Sequence, residues 1–248
     1  MELQPKMIEI SQDKLKFLVL ESGDIYKVLY DNLMLNMYPS SYYDGSLYNI
    51  YLKVDNKTSK LMGIDSPSKF AHIDNKLVYI GNFEGIDYQV VFNLFADSWF
   101  VDVILKGNKK ASIYYCFDVG LASEGINEAY NCQYIDHNVI DDNGYIHILS
   151  KQNQGRPMML ETSSFDKLDS YSTDCFQFFK KEYKITNYPE ALKQEHLDNY
   201  NYQYEFAYLV LKSKDTLINQ ELKYTFYHKV KDNYHIFPSD RTYILVLG

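Results

Sequence analysis

The run Trp99-Phe100-Val101-Asp102-Val103-Ile104-Leu105-Lys106 alternates with a period of two. Trp99, Val101, Val103 and Leu105 share a face that is wholly apolar, while Phe100, Asp102, Ile104 and Lys106 share a mixed one. A strand lying half-buried on a core has this pattern. Short runs of the same kind precede it at Leu77 to Ile80 and Gln89 to Leu94, and the alternation returns in Tyr202 to Leu211 and Leu222 to His228. Turn signals such as Asp44-Gly45, Asp55-Asn56-Lys57, Asp74-Asn75-Lys76, Glu84-Gly85 and Lys106-Gly107-Asn108 punctuate the chain at short, even spacing. Asn143-Gly144 reads as a type I′ hairpin turn; Asp141-Asp142-Asn143-Gly144 lacks the alternating ligands and distal Glu of a calcium loop.

Composition agrees. The 248 residues include 25 Tyr and 14 Phe, types that favour pleated, half-buried surfaces, and a 46% hydrophobic content can fill a sizeable core. One short helix is expected at Tyr188 to Leu192, with Asn187 as its cap and Pro189 and Glu190 in the first turn. No repeat or linker divides the chain, so residues 1–248 read as a single domain. That length exceeds the roughly 100 residues of an immunoglobulin-like sandwich. The predicted class is all-β: a large antiparallel two-sheet β-supersandwich with one or two short helices.

A net charge of −8 argues against partners with phosphate backbones or anionic lipid surfaces, so neither nucleic acid nor membrane is expected. The longest apolar stretch, Phe206 to Leu211, is six residues, against about 20 for a membrane span. Met1 to Ile10 lacks a secretory signal, which makes the cytoplasm the expected location. Cys116, Cys132 and Cys175 form no C-x-x-C pair and read as reduced, buried thiols.

Asp136-His137 juxtaposes a carboxylate and an imidazole, but strand neighbours point to opposite faces, so the pair cannot act as an oriented dyad. Tyr134, Asp136 and His137 are retained as candidate ligand contacts. A second candidate segment, Lys151 to Pro157, offers the amides of Gln152, Asn153 and Gln154, which suit sugar hydroxyls, and Arg156, which can hold an anion bidentately. Its plainer reading is a solvated loop. Trp99 could serve as a sugar platform, but its place in an alternating strand points to core packing. The six histidines are scattered without metal-ligand spacing, and no nucleophile elbow or phosphate-cradling loop occurs. Spacing alone nominates no catalytic residue, no metal and no cofactor.

The order of several segments adds to this reading. Met37 to Leu52, Gly63 to Phe70, Asp118 to Ala122, Asn127 to Tyr130, Gln133 to His137, Lys151 to Gln154, Tyr171 to Phe179 and Tyr202 to Tyr208 together resemble the N-terminal β-sandwich region of glycoside hydrolase family 94 phosphorylases, nearest the β-1,2-oligoglucan phosphorylase branch. The resemblance spans about Ile8 to His228 and departs from the family in a shortened loop after Ala122 and throughout 229–248. It implies a galactose mutarotase-like supersandwich that, in the family, accompanies a catalytic (α/α)6 barrel and lends loops to the rim of the sugar site. Such enzymes split β-glucosides with phosphate to give α-glucose 1-phosphate, using an acid carried by the barrel. No barrel is present in these 248 residues, so the expectation is an isolated or truncated domain, non-catalytic alone. It would bind β-linked oligosaccharide, dimerise, or meet a helical-barrel partner. A second expectation is an aldose mutarotase-like enzyme using Glu205, His137 and His147. A third is a partner-binding remnant with an exposed apolar patch.

Overall fold

A computed structural model describes residues 6–41, 43–123, 134–152, 158–186 and 188–232. Two antiparallel sheets face each other. In the ten-stranded sheet, β1 (Met7–Gln12), β2 (Leu15–Leu20), β3 (Ile25–Tyr30) and β4 (Leu33–Asn36) lead to the long β11 (Lys109–Ser123), followed by β16 (Ala207–Ser213) and β15 (Leu168–Asp174). β5 (Asn49–Val54) also pairs with β11 and carries β6 (Lys57–Lys60), while β17 (Thr216–Ile218) pairs with the start of β11. The eight-stranded sheet runs β12 (Ile135–Asp142), β13 (Tyr145–Gln152), β14 (Met158–Ser164), β18 (Leu222–Asp232), β10 (Ser98–Lys106), β9 (Ile86–Leu94), β8 (Lys76–Phe83) and β7 (Lys69–Ile73). The predicted two-sheet, all-β architecture is what the chain adopts.

Local chemistry accounts for the hairpins. Asp74-Asn75, Glu84-Gly85 and Asn143-Gly144 each place two consecutive residues at positive φ, as a type I′ turn requires, and each joins adjacent strands of the eight-stranded sheet. The alternation of β10 is realised in full: Trp99, Val101, Val103 and Leu105 are completely buried between the sheets. Trp99 is therefore core, not platform.

A chain of polar side chains crosses the core. Trp99 Nε1 donates to Tyr48 Oη at 2.8 Å, Tyr48 Oη is hydrogen-bonded to Tyr115 Oη, and Tyr115 Oη meets His228 Nε2 at 2.9 Å. His228 Nδ1 in turn meets Thr162 Oγ1 at 2.9 Å. Burial pushes the His228 imidazole well below its ordinary pKa and the Tyr48 phenol above its own. The network is neutral and satisfied, so it fixes the register of one sheet on the other without burying a charge.

A second, smaller core lies on the outer face of the ten-stranded sheet. Tyr51, Tyr114, Cys116, Tyr208 and Val210 are covered there by the segment between β15 and β16. That segment holds α1 (Cys175–Phe179), α2 (Tyr183–Thr186) and a 3-10 turn at Glu190–Lys193. The helix expected at Tyr188 to Leu192 is thus a single 3-10 turn that follows Pro189, and its expected cap, Asn187, lies outside the described residues. Cys116 and Cys175 are free and buried, whereas Cys132 lies outside the described residues. Among the described residues, no helix is long and apolar enough to cross a membrane.

Candidate functional site

A groove of about 460 Å³ opens on the outer side of the ten-stranded sheet, where three stretches of chain meet. The first is the connection from β4 to β5, contributing Tyr38, Asp44 and Leu47; the second is α1, with Phe176 and Phe179; the third is the approach to β16, with Glu205 and Phe206. Lys180 and Tyr183 complete the lining on the helical side. Tyr38 packs edge-on against Phe206 at 5.2 Å, and Phe179 lies 4.5 Å from Tyr183.

Each wall is held by a buried aspartate that accepts backbone N–H groups. Asp24 Oδ1 takes the amide of Ser46 at 2.9 Å, and its Oδ2 takes that of Ile64 at 2.8 Å. The fit is tight enough to require glycine nearby: a Cβ on Gly63, whose φ is +69°, would lie 2.0 Å from Asp24 Oδ1. Asp174 caps α1 through Phe176 N at 2.8 Å, with Gln177 completing a capping box, and its other oxygen takes the amides of Tyr204 and Glu205 at 2.8 and 2.9 Å. Asp118 Oδ2 takes Met37 N at 3.0 Å and Tyr38 N at 2.8 Å, while its Oδ1 is buried without a partner. Burial raises the Asp118 carboxyl to about 7 against the opposing pull of those amides.

The described residues of the carbohydrate site expected from sequence, Tyr134, Asp136, His137 and Gln152, sit elsewhere, at the open end of the β12–β13 hairpin. Tyr134 is 55% exposed. The pleat divides the others. Ile135 is in the core, so Asp136 faces outward beside its register partner Lys151, while His137 faces inward beside Ser150. His137 Nδ1 meets Ser150 Oγ at 2.9 Å, its Nε2 is buried without a partner, and burial lowers its pKa to about 3. Gln152 Nε2 donates to the Gly120 carbonyl at 3.1 Å, where β11 bulges and Leu121 adopts a left-handed φ of 54°. Asn153, Gln154 and Arg156 lie outside the described residues. Of the mutarotase trio, Glu205 lines the groove, His137 faces the interior, and His147 is on the outer face of β13, hydrogen-bonded to Glu161 at 3.2 Å. The structure does not bring these three together. Among the described residues, no cluster of three metal-ligating side chains occurs.

One strap, residues 199–206, links the two places. Asn201 Nδ2 donates to the His137 carbonyl at 2.7 Å, and Gln203 Oε1 accepts from Ile135 N at 2.7 Å. The same strap then delivers Tyr204 and Glu205 to Asp174.

Residues 18–228 match the family described as the SOGP N-terminal domain. The chain belongs to that family. It is 28% identical over 214 residues to a 1,2-beta-oligoglucan phosphorylase of Listeria innocua, a match that covers 83% of this chain and 20% of that protein. The chain thus spans about a fifth of the length of that curated relative. In fold it is similar to a putative aldose 1-epimerase from Escherichia coli K12, with a TM-score of 0.52 and 8% identity over 93% of this chain and all of that one. It is likewise similar to heparan sulfate lyase HepC from Pedobacter heparinus, with a TM-score of 0.51 and 9% identity over 92% of this chain and 35% of the other. These two likenesses establish the mutarotase-like sandwich and nothing about chemistry.

The groove residues carried a signal in the sequence after all. Apart from Lys180 and Tyr183, every lining residue falls within Met37 to Leu52, Tyr171 to Phe179 or Tyr202 to Tyr208, three of the segments that carry the family likeness. Single-segment reading missed them because none of the three is a site until the fold brings them together.

Proposed function

We propose that this chain is a sugar-associated, non-catalytic N-terminal part of a β-glucan phosphorylase-like protein, and that it binds β-linked oligosaccharide in the groove. The observation that carries this reading is the convergence of three family-like segments on one aromatic-lined groove whose walls are fixed by buried aspartates. Pre-fixed walls favour binding because little conformational entropy remains to be lost when a ligand enters. The volume lies within the roughly 300–1,000 Å³ of small-molecule sites. Tyr134 and Asp136, solvent-facing at the other end of the strap, extend the surface on which a longer chain would rest; Asn153, Gln154 and Arg156 are proposed as further contacts on their chemistry alone, amides and a guanidinium that suit sugar hydroxyls.

In this reading proton transfer to the glycosidic oxygen and the handling of phosphate belong to a helical-barrel partner, and a second copy of the chain is the alternative partner. Isothermal titration with a β-1,2-linked gluco-oligosaccharide should give saturable binding. The same protein mixed with phosphate and β-1,2-glucan should release no glucose 1-phosphate. Turnover in that mixture, or a flat titration, overturns the proposal.

A further inference from the structure

We infer that the groove takes a neutral oligosaccharide end and turns away its phosphorylated counterpart. This rests on the sugar-binding reading above and names the ligand class of the same site.

The argument is one of charge and surface. The floor is apolar, made largely by Tyr38, Leu47, Phe179 and Phe206, and the C–H faces of pyranose rings cover such aromatic surfaces without stranding a hydroxyl. The rim carries two exposed carboxylates, Asp44 and Glu205. An ionised carboxylate only accepts hydrogen bonds, so it matches the hydroxyl donors that a sugar presents. Asp44 accepts from Ser41 Oγ at 3.0 Å, and neither carboxylate has a cationic partner among the described residues. Lys180 also lines the groove, but its Nζ lies 2.6 Å from Asp198 and is neutralised there. A phosphate ester entering here meets two like charges and no uncommitted described cation, within a chain whose net charge is already −8. The backbone that carries both carboxylates is held in place, because Asp174 takes the Glu205 amide and Asp24 takes the amide of Ser46, two residues after Asp44.

Nuclear magnetic resonance on the ¹⁵N-labelled full chain at neutral pH tests this with a neutral β-1,2-linked glucotriose and a matched pair, methyl α-glucoside and α-glucose 1-phosphate. The trisaccharide should move the amide signals of Tyr38, Phe176 and Phe206. Methyl α-glucoside should bind more tightly than the sugar phosphate by about tenfold or more, which corresponds to about 1.4 kcal/mol. The exposed-site double variant Asp44→Asn/Glu205→Gln should narrow that gap. Equal affinity for the matched pair, or a gap unchanged in the double variant, overturns the inference. Shifts confined to Tyr134, Asp136 and Gln152 overturn it while leaving sugar binding in place. No shift with any probe removes the sugar-binding reading itself.

Discussion

The groove and the β12–β13 hairpin mouth lie at the two ends of one strap, yet they are built differently. At the groove, three buried carboxylates each gather backbone amides from more than one residue, so the main chain is fixed before any side chain is considered. At the mouth, side-chain direction follows from the pleat alone, which sends Asp136 outward and His137 inward. A wall pinned through its backbone tolerates sequence change on its surface, whereas a mouth set by alternation depends on strand register. The contrast predicts that single substitutions under the groove are costly and that substitutions at the mouth are cheap.

The largest effect should come from Asp174→Ala. It removes the buried carboxylate that caps α1 and that Tyr204 and Glu205 share, leaving three part-buried amides without their acceptor. A loss of about 3–5 kcal/mol is expected in urea denaturation, from the cap together with the unsatisfied donors. A loss below about 1 kcal/mol would show that water replaces the carboxylate and that the wall is not pinned. Gly63→Ala should follow, at about 2 kcal/mol or more, because the added methyl group meets the Asp24 carboxylate and the left-handed φ is unfavourable for alanine. Its thermal midpoint is the measurement.

Asp118 separates the groove from the mouth by pH. Its folded-state pKa, raised to about 7 mainly by burial, lies above the ordinary carboxylate value of 3.8. The folded state therefore binds the proton more tightly between those values, so this group favours folding at low pH. Its contribution is present below about pH 4, declines as pH rises toward 7, and is flat above. Asp118→Asn keeps an acceptor for the Met37 and Tyr38 amides and removes the titration, so the variant should gain stability relative to the native chain as pH rises from 4 to 7. A relative gain of a few kcal/mol is the order expected for a shift of this size. Parallel stability curves for the two proteins across that range would place the Asp118 carboxyl at an ordinary pKa and remove the distinction.

Much of this fold was legible in the chain, and the reasons are local. Period-two alternation in Trp99 to Lys106 survives because one face of β10 is sealed by the opposite sheet, and Asn-Gly must turn where it does because few residue pairs tolerate two positive φ values. α1 was not legible as a helix. Five residues are too few to display a 3.6-residue period, and the only helix signal in Tyr171 to Phe179 is the Asp174…Gln177 spacing of a capping box. The groove was legible only in pieces. Asp24, Asp118 and Asp174 look like any other acids in sequence, and what distinguishes them is burial beneath amides contributed from distant segments.

The smallest effects belong to the mouth. Tyr134→Ala and Asp136→Asn remove solvent-facing groups with no buried amide to abandon, so each should change stability by less than about 0.5 kcal/mol. Gln152→Ala is the sharper case, since it deletes the bond to the Gly120 carbonyl beside the bulge of β11, and about 1 kcal/mol is expected from one such bond. Hydrogen exchange at β12 and β13 reads the difference directly. If Gln152→Ala loosens the hairpin while Tyr134→Ala and Asp136→Asn do not, the mouth is tied to the sheet by its inward residues and leaves its outward ones available to a ligand. If all three loosen it alike, the outward residues are structural too, and the surface extension proposed for a longer sugar chain loses its footing.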